Sequence, residues 1–504
     1  MEATLFNGKR NTNMSTPTRR DWFKTGAAAL AFPPVTGGLA AATPQTVHKV
    51  DPPDYLFAVK EAARWIGASA QVSGEGVHWL IEPDHPELPQ TASKQLVIYN
   101  GSAGVVLFLL QLAKATGDNS YREQATKGAD YLAAHWKDLS GAGANGPSGS
   151  SFSLYNGLAG IAFTLAETWK WTKDARYRDA ALEVTGFIAK SVRPAGSGVT
   201  WTGTSGLSSG DTGVILYLLY AASTFQDDSY RAVAAQAGGH ILELAEKDPR
   251  GGLRWFGLGD GRGATGRAGG RGGGNGANRT YFPNFELGTA GVAYGLARLY
   301  AETKDVRFLD GARQGALHLQ KIATVRGDSA LVYYREPDLT NLYYLGFCHG
   351  PSGTARLFYE LYTATKDREC LDWTERLARG ITHSGIPEEQ TPGFWYVDCQ
   401  CCGLAGVTDF FLGLWAATRK PEYLAFARRV VEQTLTRATS FDGAGYRWYQ
   451  AWTRIRPWVV NAETGYMLGA AGIAASALHL HLADERRYEA ILFPDNPFPN
   501  TVRA

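Results

Sequence analysis

The sequence predicts an all-α fold, an α/α toroid of about seven inner and seven outer helices. Three observations predict it: a Gly-x-x-Gly followed by an apolar helical run recurs seven times, most copies are followed by a second amphipathic helix, and no terminal copy carries a polar capping face. The 504 residues are 44% hydrophobic and 19% charged with a net charge of +2, which supplies a large core. That balance excludes intrinsic disorder and a strongly basic nucleic-acid or membrane footprint.

Taken in order, the copies are NGSAGVVLFLLQLAKATGD from Asn100, NGLAGIAFTLAETWKWTKD from Asn156, SGDTGVILYLLYAASTF from Ser209 and LGTAGVAYGLARLYAETKD from Leu287. They continue as HGPSGTARLFYELYTATKD from His349, CGLAGVTDFFLGLWAATRK from Cys402 and LGAAGIAASALHLHLAD from Leu468. These helices are apolar nearly all round, as an inner, fully buried layer is, whereas the helices that open with Tyr or Phe from Ser120, Arg176, Ser229, Arg307 and Glu422 keep charges on one face. The helix from Asp54 is of the second kind and precedes the first Gly-x-x-Gly. Glycine serves the motif by tolerating positive φ and by lacking a side chain that would clash.

Outside the repeats, residues 1–45 read as an export signal and linker, 46–490 as one toroid, and 491–504 as a C-terminal tail. Arg19 and Arg20, the apolar TGAAALAF and the small residues Ala40, Ala41 and Ala42 follow the order of a twin-arginine signal, with Met14 as an alternative start. Pro33 and Pro34 interrupt the apolar stretch, and no later segment has the run of 18 or more apolar residues that a membrane anchor needs. The expectation is a soluble protein exported to the periplasm or beyond. A glycine-rich insertion at about 250–280 (257–277 read GLGDGRGATGRAGGRGGGNGA) and a segment at about 137–150 are expected to be flexible surface connectors. The insertion lacks the GK[ST] of a phosphate-binding loop.

Four of the five cysteines sit at two inner-helix starts: Cys348 in GFCHGPSG, and Cys399, Cys401 and Cys402 in DCQCCGLAG. Thiolates at helix N-termini are favoured by the partial positive charge there, and three protein ligands with one open position make a catalytic zinc site. A disulfide and ordinary buried thiols are the other readings of the cluster.

The seven Gly-x-x-Gly repeats with the FCHGPSG and CQCCGLAG loops resemble the LanC-like (lanthionine synthetase C-like) family over roughly residues 50–485. The resemblance implies a toroid with one Zn2+. Cys348 and Cys401 match the family's cysteine ligands, and Cys402 stands where a histidine is usual. It further implies a zinc-bound substrate thiolate adding to a dehydroamino acid to form a thioether, with a peptide or a small thiol or electrophile as partner. The family's Asp, His and Arg are here Ser153, Leu287 and Tyr344. Substitutes for them are His349 and Glu286 first, then Asp211, Tyr344 and Asp398, with Cys399 as an alternative ligand. Two other functions compete. One is a zinc-stabilised binding toroid without catalysis; the other is a carbohydrate-active toroid using Asp211 and Glu286 as its carboxylates and Trp201, Trp395 and Trp448 as sugar platforms.

Overall fold

The computed structural model describes residues 54–140, 149–256, 281–336, 341–395, 397–451 and 454–502. Residues 1–45, where an export signal is expected, residues 257–280 of the glycine-rich insertion and residues 141–148 of the other connector lie outside them. The helices are α1 (Tyr55–Ala68), a short α2 (Ala92–Gln95), α3 (Ser102–Thr116), α4 (Asn119–Leu139), α5 (Leu158–Thr172), α6 (Ala175–Lys190), α7 (Asp211–Phe225) and α8 (Asp228–Glu243). There follow α9 (Thr289–Thr303), α10 (Val306–Ile322), α11 (Pro351–Thr365), α12 (Arg368–Thr382), α13 (Leu404–Thr418), α14 (Pro421–Leu435) and α15 (Ala470–Asp484).

The odd-numbered helices α3 to α15 are the seven inner helices and start at the seven Gly-x-x-Gly motifs. The first eleven residues of α3, from Ser102 to Leu112, are all buried, while α4 buries one face through Ala125, Gly128, Ala129, Leu132, Trp136 and Leu139. The outer layer is α4, α6, α8, α10, α12, α14 and α1, which packs on α15 and completes the ring. The fold is therefore the α/α toroid that the repeats predict.

Each inner helix from α3 to α13 ends in one left-handed residue: Gly117, Lys173, Gln226, Lys304, Lys366 and Arg419, with φ between 57 and 71°. An aspartate then caps the next outer helix; Asp174 accepts the amide of Arg176 at 3.0 Å and Asp305 that of Arg307 at 3.0 Å. The sixth link has Lys420 in place of that aspartate and makes no side-chain cap. The third helical position of the outer helices is Tyr121, Tyr177, Tyr230, Phe308 and Tyr423, but Cys370 in α12, so the fifth cysteine fills an aromatic slot.

The motif glycines correct one expectation. The first of each pair is extended, with φ from −110° to −156°, and none of the pair has positive φ. Their role is steric: a Cβ on Gly353 or Gly406 would collide with the carbonyl oxygen of Phe347 or Gln400 in the loop that leads into the same helix. Among the described residues, five two-stranded antiparallel hairpins, unforeseen from the sequence, lie between outer and inner helices, including 193–195 with 198–200 and 450–451 with 460–461.

Backbone hydrogen bonds hold six of the seven junctions between repeats. Two residues before each first glycine stand Tyr99, Tyr155, Ser208, Glu286, Cys348, Cys401 and Met467. The amide of Ser208 donates to the carbonyl of Glu286 (3.1 Å), Glu286 to Cys348 (2.9 Å), Cys348 to Cys401 (3.0 Å) and Cys401 to Met467 (2.9 Å). Met467 donates to Tyr99 (3.0 Å) and Tyr99 to Tyr155 (3.0 Å), joining the last repeat to the first. The C-terminal segment packs against the inner helices: Phe493 lies on Phe163 and Tyr466, Phe498 on Tyr359, and buried Asp495 accepts the Tyr155 hydroxyl at 2.8 Å.

Candidate metal centre

Cys348 and Cys401 occupy the same position in consecutive repeats, so the backbone ring sets them side by side at the starts of α11 and α13. Cys402 follows at the next position. Cys348 Sγ lies 3.3 Å from Cys402 Sγ, which lies 3.6 Å from Cys401 Sγ, and all three sulfurs fall within 4.8 Å of one another. All five cysteines are free thiols, and these separations are far beyond the ~2.05 Å of a disulfide. A zinc ion with Zn–S of about 2.3 Å at tetrahedral angles holds sulfurs about 3.8 Å apart. The three thiols fit that group with small adjustment. Cys399 is fully buried, and its amide is bound by Gln450 Oε1 at 2.8 Å; its thiol hydrogen-bonds Cys402 from outside the triangle.

The thiols differ electrostatically. Hydrogen bonds from Cys348 and Cys402, together with one from Tyr99, hold the Cys401 thiol well below its ordinary pKa. Burial, then the hydrogen bond with Cys401, pushes Cys348 up. Cys401 also receives the Tyr99 hydroxyl at 3.0 Å.

Glu286 Oε2 lies 3.9 Å from Cys401 Sγ and 4.0 Å from His349 Nε2, and each of these two side chains keeps 12% exposure. Burial, reinforced by Cys401, raises the Glu286 carboxyl well above the usual range. Burial lowers the His349 imidazole to about 4. His349 Nδ1 is buried and has no hydrogen-bond partner among the described residues. Phe282, Tyr334 and Tyr344 surround the ring at centroid distances of 5.3, 4.9 and 6.0 Å. The structure thus brings together Cys348, Cys401, Cys402, His349 and Glu286, with Tyr344 at the edge.

It does not bring the other candidates into play. The Asp211 carboxylate accepts from Thr200, from the backbone and hydroxyl of Thr202 (both 2.8 Å) and from the amide of Trp201 (3.2 Å). Asp398 is buried in a forked pair with Arg437 (2.9 and 3.1 Å), where burial against that guanidinium leaves its pKa at about 6. Trp201, Trp395 and Trp448 are buried, and their indole N–H groups bind the carbonyls of Ile188, Ala451 and Thr434. Ser153 is buried and Leu287 partly exposed. Tyr99 went unnoticed in the sequence, although it shares the register of Cys348 and Cys401.

A cavity of about 1010 Å³ opens at the opposite ends of α3, α5 and α7, away from the thiols; its buried Glu167 is engaged by Lys170 and Tyr220 at 2.7 Å each.

The chain is an α/α toroid that is similar to the LanC-like family. Residues 148–398 match the family described as lanthionine synthetase C-like protein, a stretch that holds Glu286, Cys348 and His349 and stops short of Cys401. Among solved structures the chain is similar to nisin cyclase, at 14% identity and a TM-score of 0.55, covering 78% of this chain and 90% of that one. It also matches an unsaturated glucuronyl hydrolase specific for heparin (12% identity, TM-score 0.46, 86% and 98% covered). A GH76 alpha-mannanase of Bacteroides thetaiotaomicron matches as well (13%, 0.42, 86% and 96%). No curated protein matches the sequence. At these identities the structural likeness speaks for the fold alone.

Proposed function

We propose that Cys348, Cys401 and Cys402 hold a zinc ion and that the pocket joins a thiol to an electrophilic, dehydroamino acid-like group of a peptide or small molecule, forming a thioether, in a protein exported by its N-terminal signal. The observation that carries this reading is the sulfur triangle, with sides of 3.3 and 3.6 Å against the ~3.8 Å of a tetrahedral thiolate site. Zinc bound by three protein ligands supplies a position where a substrate thiol loses its proton more easily.

In the addition, S–H is consumed across C=C: sulfur bonds the β-carbon, the π pair moves to the α-carbon, and that carbon takes up a proton. No oxidant or reductant is needed. His349 and Glu286 are the side chains placed to carry the proton, since His349 Nδ1 is unpartnered and its Nε2 faces Glu286. Phe282, Tyr334 and Tyr344 exclude water and offer flat surfaces to an unsaturated group. Ser153, Leu287 and Tyr344, standing where the family's Asp, His and Arg are expected, favour a second reading in which the zinc only stabilises a binding toroid.

Zinc per chain is measured first, in wild type beside Cys348→Ser, Cys401→Ser and Cys402→Ser; we expect one equivalent in the wild type and its loss in each variant. A metal-free, folded wild type overturns the metal reading. Zinc-loaded protein is then offered a dehydroalanine peptide and a thiol. We expect addition that falls about 100-fold in His349→Gln with zinc retained, whereas a loaded wild type without activity leaves the binding toroid.

A further inference from the structure

The backbone ring fixes more than the three cysteines. Tyr99, Met467 and Cys401 are consecutive members of it, linked by amide-to-carbonyl bonds of 3.0 and 2.9 Å, so the Cα of Tyr99 is held at a set distance from that of Cys401. From that position the phenol reaches past Met467 and donates to Cys401 Sγ at 3.0 Å. Among the described residues, Cys401 is the one of the three sulfurs with a hydroxyl donor; Cys348 and Cys402 have each other and their neighbouring thiols.

Three thiolates around a divalent cation leave the centre with a net charge of −1, where two thiolates and an imidazole leave it neutral. A hydrogen bond donated to sulfur draws electron density from that ligand and so offsets part of the extra charge. We infer that Tyr99 is a positioning residue of the metal centre, its hydroxyl moderating the electron donation of the Cys401 thiolate and fixing the orientation of that ligand. It stands in the first repeat, where neither the cysteine loops nor the family resemblance assigns a role. This inference rests on the metal reading proposed above.

The test uses the full mature chain loaded with Co2+, whose sulfur-to-cobalt charge-transfer band reports the donor strength of the thiolates. In Tyr99→Phe we expect one equivalent of cobalt at saturation, a charge-transfer band moved to lower energy, and cobalt affinity about 10-fold weaker by chelator competition. Met467→Leu, which alters a ring neighbour without a donor, should leave the band in place. If Tyr99→Phe does not fold, 3-fluorotyrosine at position 99 keeps the shape and strengthens the donor, and the band should move to higher energy. An unmoved band at full occupancy in either form overturns the role of Tyr99. A wild type that takes up no cobalt overturns the metal reading itself, and the inference with it.

Discussion

Among the described residues, two places in this toroid gather metal-binding side chain types within 4.8 Å, and they are built on different principles. In the cysteine pocket the acceptors are soft sulfurs, and among the described residues no lysine or arginine hydrogen-bonds to them. In the other, Asp248, His318 and Glu336 converge, but Arg250 takes both oxygens of Asp248 (2.7 and 2.8 Å) and one of Glu336. Arg254 approaches Asp248 at 3.0 Å and Glu336 at 3.7 Å, Tyr333 donates to Glu336 at 2.9 Å, and His318 Nε2 lies 3.3 Å from Glu336. Two carboxylates against two guanidiniums already balance, so a divalent cation there would bury an excess of positive charge. Ligand-type residues at metal-like spacing define a metal site only where the protein has not supplied its own cations. The ion cluster has a structural task instead: Arg254 stands three positions before residue 257, and Tyr281 follows residue 280, paired with Glu336 through both backbone bonds (3.0 and 2.8 Å).

The most severe way to break this contrast is Asp248→Ala. It leaves the exposed Arg250 and the partly exposed Arg254 short of a partner, so the cost is at most the ~3–5 kcal/mol of breaking a fully buried pair. Denaturant unfolding should show that loss while zinc per chain stays at the wild-type value; loss of metal instead would make the cluster a second ligand set.

Acid sharpens the contrast next. Hydrogen bonding to Arg250 holds Asp248 far below its ordinary pKa, and in Glu336 burial is outweighed by the bonds from His318 and Arg250, which hold it at about 2. Both folded-state values lie under the unfolded ones of about 4. Their contribution is therefore complete above about pH 4.5 and is lost as the pH falls toward 2. Glu336→Gln should flatten the stability profile between those limits by about 3 kcal/mol. An unchanged acid limb in that variant would show that the cluster does not set it.

How legible each region was in the sequence follows from its construction. The toroid was legible because seven copies repeat a local pattern, and so was the zinc-like loop pair, because cysteines at two helix starts are an unusual placement. The helix α12 was harder, since Cys370 removes the aromatic that marks its siblings. Strands of two to four residues are too short to show alternation. Tyr99 could have been found by writing the copies from two residues before the first glycine, a register in which Tyr99, Glu286, Cys348 and Cys401 align. The ion cluster had no local signal: Asp248, His318 and Glu336 come from three separate segments and meet only in the folded chain.

Cys402→His is the gentlest change and asks what the third sulfur contributes. The substitution restores the imidazole that the family resemblance places at this position, and Cys402 is partly exposed, so the larger ring has room to turn outward. One anionic ligand is replaced by a neutral one, and both thiolate and imidazole suit zinc. We expect one equivalent of zinc to remain and affinity to change by no more than about 10-fold, since ligand number is kept. The bound substrate thiolate should then be a weaker nucleophile toward a given electrophile, because fewer anionic sulfurs donate to the metal. A variant that loses its metal altogether would mean that the pocket selects for three sulfurs by shape, and would tie the departure from histidine to the packing of Cys399 behind Cys402.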